Sequence, residues 1–196
     1  MLITSCMRAG STSLYHYLME ITGMSSFVIE KAKEHERVDG YIHYPSSTAM
    51  TLTKDLLTYI TVSKEVLIRE HLLPIQAHRD ILMGIPKPLR KVVVLKRDAE
   101  QSFNSQLKRR SEPSPGVWSA ECPHGSRGRY KTECRESFIK FREDIDTFFP
   151  EKDGFLHIEF DDLIQDSQAV ASKILTYWGL DAQFPNWKTI KFLHFK

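Results

Sequence analysis

The segment from Lys91 to Arg97, KVVVLKR, constrains the fold more than any other part of the sequence. It places three valines and a leucine in unbroken succession between basic residues. A strand with one face in water alternates apolar and polar residues, whereas a strand covered on both faces is apolar throughout. Covered strands of this kind occur in parallel sheets, because the crossover connections place helices on both faces. The segment therefore predicts a central strand of a parallel sheet.

The rest of the chain alternates between strand-like and helix-like segments. Short apolar runs rich in β-branched residues predict strands, and apolar positions that recur every three or four residues predict helices. The predicted strands are residues 1–7, 25–31, 65–71, 91–97 and 155–163, the last of which runs into a turn. The predicted helices are residues 14–21, 52–62, 76–85, 99–110, 136–149 and 166–180. This alternation predicts an α/β fold with a mostly parallel central sheet flanked by helices.

Size and charge exclude several classes of protein. The 196 residues predict a single domain, residues 1–196, with a long proline- and glycine-rich loop at about residues 111–132. The formal net charge is only +2, which argues against general nucleic-acid binding. No apolar run approaches the ~20 residues of a membrane span, and the first motif begins too close to Met1 for a targeting leader. We therefore expect a cytoplasmic protein without nucleic-acid or membrane partners.

The cysteines do not indicate a structural framework or a metal site. There are three of them, so a disulfide framework always leaves one over. Cys122, His124 and Cys134 are zinc-ligand types, but no fourth ligand is evident and the spacing fits no standard finger. We expect reduced thiols and no bound metal.

A loop of small residues, RAGSTS, follows the first predicted strand and opens a helix. Backbone N–H groups and the dipole at a helix start attract anions, and a glycine lets the backbone approach the ligand closely. The hydroxyls and the arginine add further donors and a fixed positive charge. An ordinary strand-to-helix turn with a serine cap is the alternative, and the loop is not a Walker A motif, which needs GxxxxGK[ST]. The predicted anion-binding residues are Arg8, Ala9, Gly10, Ser11, Thr12 and Ser13.

Three further segments join this loop in a recognisable order. REHLLP contains His71, and KVVVLKRDAEQSFNS contains Arg97 and, eight residues later, Ser105. FLHIEFDDLIQDSQAVASKILTYWGL follows near the carboxyl terminus. Together the four segments run from residue 3 to about residue 180, and they resemble the sulfotransferases that use 3′-phosphoadenosine 5′-phosphosulfate (PAPS). Independently of the resemblance, Arg97 leaves the carboxyl end of a central strand, where α/β sheets bind ligands.

The resemblance implies a P-loop-like three-layer α/β sandwich and a set of site residues. It assigns the 5′-phosphosulfate to residues 8–13, with Arg8 also stabilising charge on the transferred sulfate, and the 3′-phosphate to Arg97 and Ser105. It assigns the general base to His71. Glycan-modifying relatives use a glutamate shortly after the second strand, so Glu30 is the second candidate base. Behind it come two neighbours, Glu34 and His35.

The sequence departs from the family pattern at three places. Ala9 replaces the usual serine of the loop, and Ser13 stands where cytosolic members carry an aromatic residue that stacks on adenine. The late Arg-Lys-Gly element that contacts the 3′-phosphate has no counterpart after Gly179. Partial substitutes are Lys188, Lys191 and Lys196.

The expected function is transfer of a sulfuryl group from PAPS to a hydroxyl or amine of a small molecule or glycan. The nucleotide product is 3′,5′-adenosine bisphosphate (PAP), and no metal is required. Two alternatives stay open. One is a nucleotide-dependent kinase of similar architecture, in which Asp98 is the available acidic ligand for Mg²⁺. The other is a non-catalytic module that binds a nucleotide or a sulfated glycan.

Overall fold

The structure is a computed structural model that describes residues 1–6, 8–26, 66–69, 72, 74–111 and 135–180. Within these residues five strands form one sheet in the order β2-β3-β1-β4-β5, and every pair of neighbours is parallel. The strands are β1 (Leu2–Ser5), β2 (Ser25–Ser26), β3 (Val66–Arg69), β4 (Val92–Lys96) and β5 (Leu156–Glu159). The sheet therefore has β1 at its centre with β3 and β4 on either side.

Six α-helices accompany the sheet in the described part of the chain. They are α1 (Ser11–Thr22), α2 (Gln76–Met83), α3 (Ala99–Ser111), α4 (Arg135–Phe148), α5 (Phe160–Gln165) and α6 (Ser167–Trp178). The predicted α/β class, with a parallel sheet flanked by helices, is confirmed. The predicted helix at residues 52–62 and the predicted loop beyond Ser111 lie outside the described residues. No described helix has the length and apolarity needed to cross a membrane.

The central strands form the core of the molecule. The four residues from Val92 to Leu95 are completely buried, as are Leu2 and Ile3 of β1. Leu2 to Ser5 pair in register with Val92 to Leu95. The KVVVLKR segment is therefore covered on both faces, as its unbroken apolar run predicts.

Helices cover the sheet in two groups. The side chain of Tyr17 on α1 hydrogen-bonds to Ser167 on α6. On the other side, Arg79 of α2 donates to the carbonyl of Phe148 at the end of α4 (2.8 Å), and α3 packs along α4. The strand order requires this division. The connection from β1 to β2 crosses the sheet in one direction, whereas the connections from β3 to β4 and from β4 to β5 cross it in the other. Because crossovers between parallel strands are right-handed, connections in opposite directions lie on opposite faces of the sheet. The arrangement is compatible with a three-layer sandwich.

Several element boundaries differ from the sequence prediction: α1, for example, begins at Ser11 rather than at residue 14. The helix predicted over residues 76–85 ends two residues earlier, at Met83. The turn predicted after the last strand is the short helix α5. Phe160 and Leu163 are both buried one helical turn apart, and acidic residues occupy the first turn, where the helix dipole favours them.

Arg90 closes the amino edge of the sheet, the side on which β4 and β5 begin. Its guanidinium donates to the carbonyl oxygens of Leu82 (2.9 Å), Ile85 (2.8 Å) and Asp153 (2.5 Å). The same group lies 5.6 Å from the ring centroid of Phe155. Only 4 % of the Arg90 surface is exposed. This arginine therefore joins the end of α2 to the segments that lead into both strands.

Tyr177 of α6 completes the amino edge. Its hydroxyl lies 2.7 Å from the carbonyl oxygens of both Arg90 and Gly154, and it accepts a hydrogen bond from the Val92 N–H (3.1 Å). Burial raises the pKa of this phenol above its usual value. The hydroxyl therefore stays protonated and forms hydrogen bonds with backbone groups at this edge that do not pair within the sheet.

Candidate functional site

The carboxyl edge of the sheet, formed here by residues 5–6, 8–13, 96–98 and 159–161, contains a topological switch point. From β1 the chain continues toward β2 on one side of the sheet, whereas from β4 it continues toward β5 on the other. Such a reversal between adjacent strands opens a crevice at their carboxyl ends, where α/β proteins bind ligands. The predicted loop, residues 8–13, follows β1, and Arg97 follows β4. The structure therefore brings two predicted anion-binding segments to the same crevice.

The loop has an unusual backbone for its composition. Arg8 and Gly10 both adopt left-handed conformations, with φ of 60° and 81°. The glycine takes this conformation without steric cost, whereas the arginine does so at a cost of roughly 1–2 kcal/mol. Left-handed residues turn successive N–H groups toward a common point, which is the geometry of backbone anion sites. The strained residue is thus one of those predicted to bind the anion.

The amino end of α1 carries no carboxylate of its own. Gly10 is its cap and offers no side chain, and the first turn contains no acidic residue. By contrast, Asp98 accepts a hydrogen bond from the Gln101 N–H at the start of α3, and Asp166 accepts one from Ala169 at the start of α6 (both 2.9 Å). The positive end of the α1 dipole is therefore not matched by a carboxylate of its own first turn, which favours binding of an anion there.

Arg97 is held in place by three different groups. Its Nη1 donates to the carbonyl oxygen of Arg8 (2.9 Å), and its Nε donates to the side-chain oxygen of Gln101 (3.3 Å). Its guanidinium carbon lies 4.0 Å from the ring centroid of Phe160. The predicted 3′-phosphate residue is thus bonded directly to the predicted 5′-phosphosulfate loop.

The charge on Arg97 has no carboxylate partner among the described residues. Arg79 and Lys96, by contrast, are each ion-paired, with Asp153 and Glu159 respectively. Arg97 is half-buried, and burial lowers its pKa, although Asp161 and Asp98 oppose the shift from a distance. An arginine stays charged in proteins regardless of such shifts. The crevice therefore contains a partly desolvated positive charge that lacks an ion pair with any described carboxylate.

Ser105, the second predicted 3′-phosphate residue, lies on α3 in a half-buried position. It comes four residues after Gln101, the residue that Arg97 contacts. Residues four apart on a helix share a face and are separated by about 6 Å along its axis. Ser105 is thus one turn further along the helix face that meets Arg97.

The hydroxyl residues of the loop differ in their exposure. Ser11 is buried, Ser13 is half-buried and Thr12 is exposed, while Ala9 is buried against the core. The alanine fits its position because its small side chain is accommodated in the interior. Thr12 is therefore the loop hydroxyl most accessible to a ligand from solvent.

Cys6 lies beneath the loop and is not a nucleophile. Its N–H donates to the Leu95 carbonyl (2.9 Å), so pairing between β1 and β4 continues to the base of the crevice. Burial raises the pKa of the Cys6 thiol to about 12, although a hydrogen bond from the Arg97 N–H opposes the shift. A thiol with so high a pKa is uncharged and unreactive at neutral pH.

A network of four charged side chains at this edge was not foreseen from the sequence. Lys96 Nζ lies 3.0 Å from a carboxylate oxygen of Asp146 and 3.1 Å from one of Glu159. Arg142 contacts the same two carboxylates. The network ties α4 to the ends of β4 and β5. The network depends on the strand register that pairs Lys96 with Glu159. No local sequence pattern indicates this register.

The two candidate bases lie outside the described residues. These are His71 and Glu30, together with their lower-ranked alternatives Glu34 and His35. The next described residue after β3 is Leu72, whose N–H donates to the side-chain oxygen of Thr4 (3.0 Å). The end of β3 is therefore fastened to β1 close to the crevice.

A metal site requires several His, Cys, Asp or Glu side chains brought close together. Cys122, His124 and Cys134 also lie outside the described residues. Within the described ranges, no three His, Cys, Asp or Glu side chains converge as metal ligands would.

Comparison with known proteins does not assign the chain to a family. No protein-family model matches the sequence. No curated protein matches it either. The geometry of the carboxyl edge is therefore the basis on which a function can be proposed.

Proposed function

We propose that the protein is a PAPS-dependent sulfotransferase with a P-loop-like fold and a nucleotide site at the β1–β4 crevice. The observation that carries the proposal is the state of Arg97. It is a half-buried cation with no ion pair to a described carboxylate, bonded to the backbone of the loop at residues 8–13. A positive charge in that state favours an anionic ligand, because burial removes water that would otherwise solvate it.

A ligand with two separated anionic groups suits the crevice better than one with a single group. The first positive element is the start of α1 with Arg8, and the second is Arg97 with Ser105 one helical turn beyond its Gln101 contact. PAPS carries a phosphosulfate at the 5′ position and a phosphate at the 3′ position. The loop would hold the first group and Arg97 the second, as the sequence resemblance implies.

The chemistry assigned to the chain is positioning, charge stabilisation and proton removal. PAPS supplies the activated sulfuryl group. Arg8 and the N–H groups of the loop stabilise negative charge on the sulfate and on the departing phosphate oxygen. A base removes the proton from the acceptor hydroxyl or amine as its lone pair attacks sulfur. As in phosphoryl transfer, an in-line attack with neutralised charge needs little covalent help from the protein.

We assign the base to His71 and predict that His71→Ala lowers kcat by about 10²- to 10⁴-fold. PAP binding should change little, because the base contacts the acceptor rather than the nucleotide. Steady-state kinetics and PAP titration of the same variant measure both quantities. Glu30→Gln is the matched variant. A large loss of kcat in Glu30→Gln together with full turnover in His71→Ala would transfer the assignment to Glu30.

The kinase alternative receives no support from the described residues. Asp98, its candidate Mg²⁺ ligand, caps α3 through a hydrogen bond from the Gln101 N–H. Capping by an aspartate is a sufficient structural reason for its presence at a helix start. The loop also lacks the lysine that a Walker A motif places after its second glycine.

Calorimetric titration with PAP, in parallel with ATP–Mg²⁺, tests the proposal. We expect micromolar PAP binding that weakens about 10- to 100-fold in Arg97→Ala, the loss expected for charge-assisted hydrogen bonds. Arg142→Ala is the matched control. It removes the same charge from the same edge, but Arg142 is already paired with Glu159 (3.0 Å), so binding should persist.

Other outcomes of the titration separate the alternatives. Binding of ATP–Mg²⁺ without PAP binding would contradict the sulfotransferase proposal and favour the kinase. PAP binding without transfer to any hydroxyl or amine acceptor would instead favour a non-catalytic binding module.

A further inference from the structure

We propose that Phe160 is a positioning residue that fixes the Arg97 guanidinium for a ligand phosphate; this inference rests on the proposed nucleotide site. The ring centroid of Phe160 lies 4.0 Å from the guanidinium carbon. That distance is well inside the ~6 Å limit of a cation–π interaction. Neither the sequence motifs nor the resemblance assigns Phe160 a role.

Strand register explains why these two residues meet. Lys96 and Glu159 are direct partners in the β4–β5 pairing, and their side chains form an ion pair of 3.1 Å. Arg97 and Phe160 are the next residues on each chain, so they leave the sheet side by side. Lys96 also pairs with Asp146 on α4, whereas Arg97 donates a hydrogen bond to Arg8 in the loop after β1. The contact of Arg97 with Phe160 is therefore built into the sheet.

The ring is a rigid support for the guanidinium. Phe160 is only 2 % exposed, and it begins α5, whose Leu163 is completely buried one turn later. A side chain packed in this way has little freedom to rotate. Because the guanidinium is planar, stacking on a fixed ring restricts its tilt.

Two of the five side-chain N–H groups of Arg97 have partners among the described residues, and both N–H groups of Nη2 remain for a ligand. Nη1 donates to the Arg8 carbonyl and Nε to Gln101. Nη2 makes no hydrogen bond to a residue in the described part of the chain. Because the guanidinium lies over the Phe160 ring and its Nη1 and Nε are hydrogen-bonded, the direction of Nη2 is restricted. A preorganised donor binds more tightly than a mobile one, because less conformational freedom is lost on binding.

The contribution of Phe160 can be measured as a change in the preference of the protein for nucleotides that carry a 3′-phosphate. The affinity for PAP divided by that for adenosine 5′-monophosphate isolates the contribution of the 3′-phosphate, since the two probes otherwise match. We expect Phe160→Leu to lower this ratio about threefold to tenfold, the range of a partly desolvated cation–π contact. Phe160→Tyr retains the ring and should restore the ratio to within about twofold of the wild-type value.

Two controls distinguish positioning from a general loss of structure. Phe149→Leu removes another fully buried ring, one that packs on Phe155 away from the crevice, and should leave the ratio unchanged. In an Arg97→Gln background, Phe160→Leu should have no further effect on the ratio, because the residue acts through Arg97. If Phe160→Leu does not fold, Phe160→Met replaces it with the same expectation, since methionine fills irregular core space.

The outcomes separate this inference from the proposed function. A wild-type preference for PAP that disappears in Arg97→Gln but survives in Phe160→Leu would overturn the positioning role and leave the nucleotide site intact. Absence of any PAP binding by the wild-type protein would overturn the site itself and the positioning role with it. A lowered ratio in Phe160→Leu, with the Phe149→Leu ratio unchanged, would support both.

Discussion

Two arginines lie at opposite ends of β4, and they differ in how their hydrogen-bonding capacity is used. Arg90 precedes the strand, is 4 % exposed and donates to several backbone carbonyls. Arg97 follows the strand, is half-buried and donates to one carbonyl and one side-chain amide. Each also lies over a phenylalanine ring, at 5.6 Å for Arg90 and 4.0 Å for Arg97. The residue type and the aromatic neighbour are therefore the same, and the difference lies in the polar partners.

This difference separates a structural arginine from one suited to bind a ligand. Burying a charged group is costly unless its donors are satisfied, and at Arg90 the backbone satisfies them. At Arg97 the protein supplies fewer partners, at the edge of the sheet where α/β folds bind ligands. The amino edge is thus closed by internal hydrogen bonds, and the carboxyl edge retains capacity for an anion.

The largest expected effect is on stability, from Arg90→Ala. The change leaves the carbonyls of Leu82, Ile85 and Asp153 without this donor in a buried setting, so the free energy of unfolding should fall by about 3 kcal/mol or more. Denaturant unfolding followed by circular dichroism measures this. Arg97→Ala is the matched variant and should cost only about 1 kcal/mol, because its two hydrogen bonds, to the Arg8 carbonyl and to Gln101, lie at part-buried or exposed positions that water can reach.

Arg90→Lys tests whether the amino edge needs the planar guanidinium of Arg90 or only its positive charge. A lysine retains the charge but replaces a planar fork with a single point donor, so it cannot reach several carbonyls at once. An intermediate loss of stability is expected. Equal losses in Arg90→Ala and Arg97→Ala would contradict the distinction between the two edges.

Local sequence patterns were sufficient to predict β4, the strand that separates these arginines, but not the contacts that β4 and its ends make with distant segments. The apolar run of Val92–Leu95 indicated a covered strand, and Arg97 was expected at a ligand-binding edge because it leaves that strand's carboxyl end. The contact with Phe160 was not predicted, since it depends on the register between β4 and β5, which lie some sixty residues apart in the chain. The short helix α5 was also missed, because its six residues are too few to show a helical repeat of apolar positions. The choice between His71 and Glu30 stays a prediction.

The smallest expected effect is a change in the pH dependence of stability that involves His157. This residue contacts groups near both edges of the sheet. Its Nε2 donates to the carbonyl of Phe149 (2.5 Å), next to the amino edge, and its Nδ1 lies 3.6 Å from Asp146 of the carboxyl-edge network. Burial lowers the pKa of this imidazole below 6.5, assisted by Lys96, while the Phe149 carbonyl, Glu151 and Asp146 oppose the shift. The folded protein therefore binds this proton less tightly than the unfolded chain does.

Acidification should consequently destabilise the fold through His157. As the pH falls from 6.5 toward the lower pKa of the folded state, the unfolded chain takes up the proton first. The free energy of unfolding should therefore decrease as the pH falls below about 6.5, which denaturant titrations at a series of pH values measure. This component should disappear in His157→Gln, which keeps a donor for the Phe149 carbonyl. If stability instead rose on acidification through His157, the nearby carboxylate of Asp146 would outweigh burial, and the imidazole would belong to the charged network of the carboxyl edge rather than to the core.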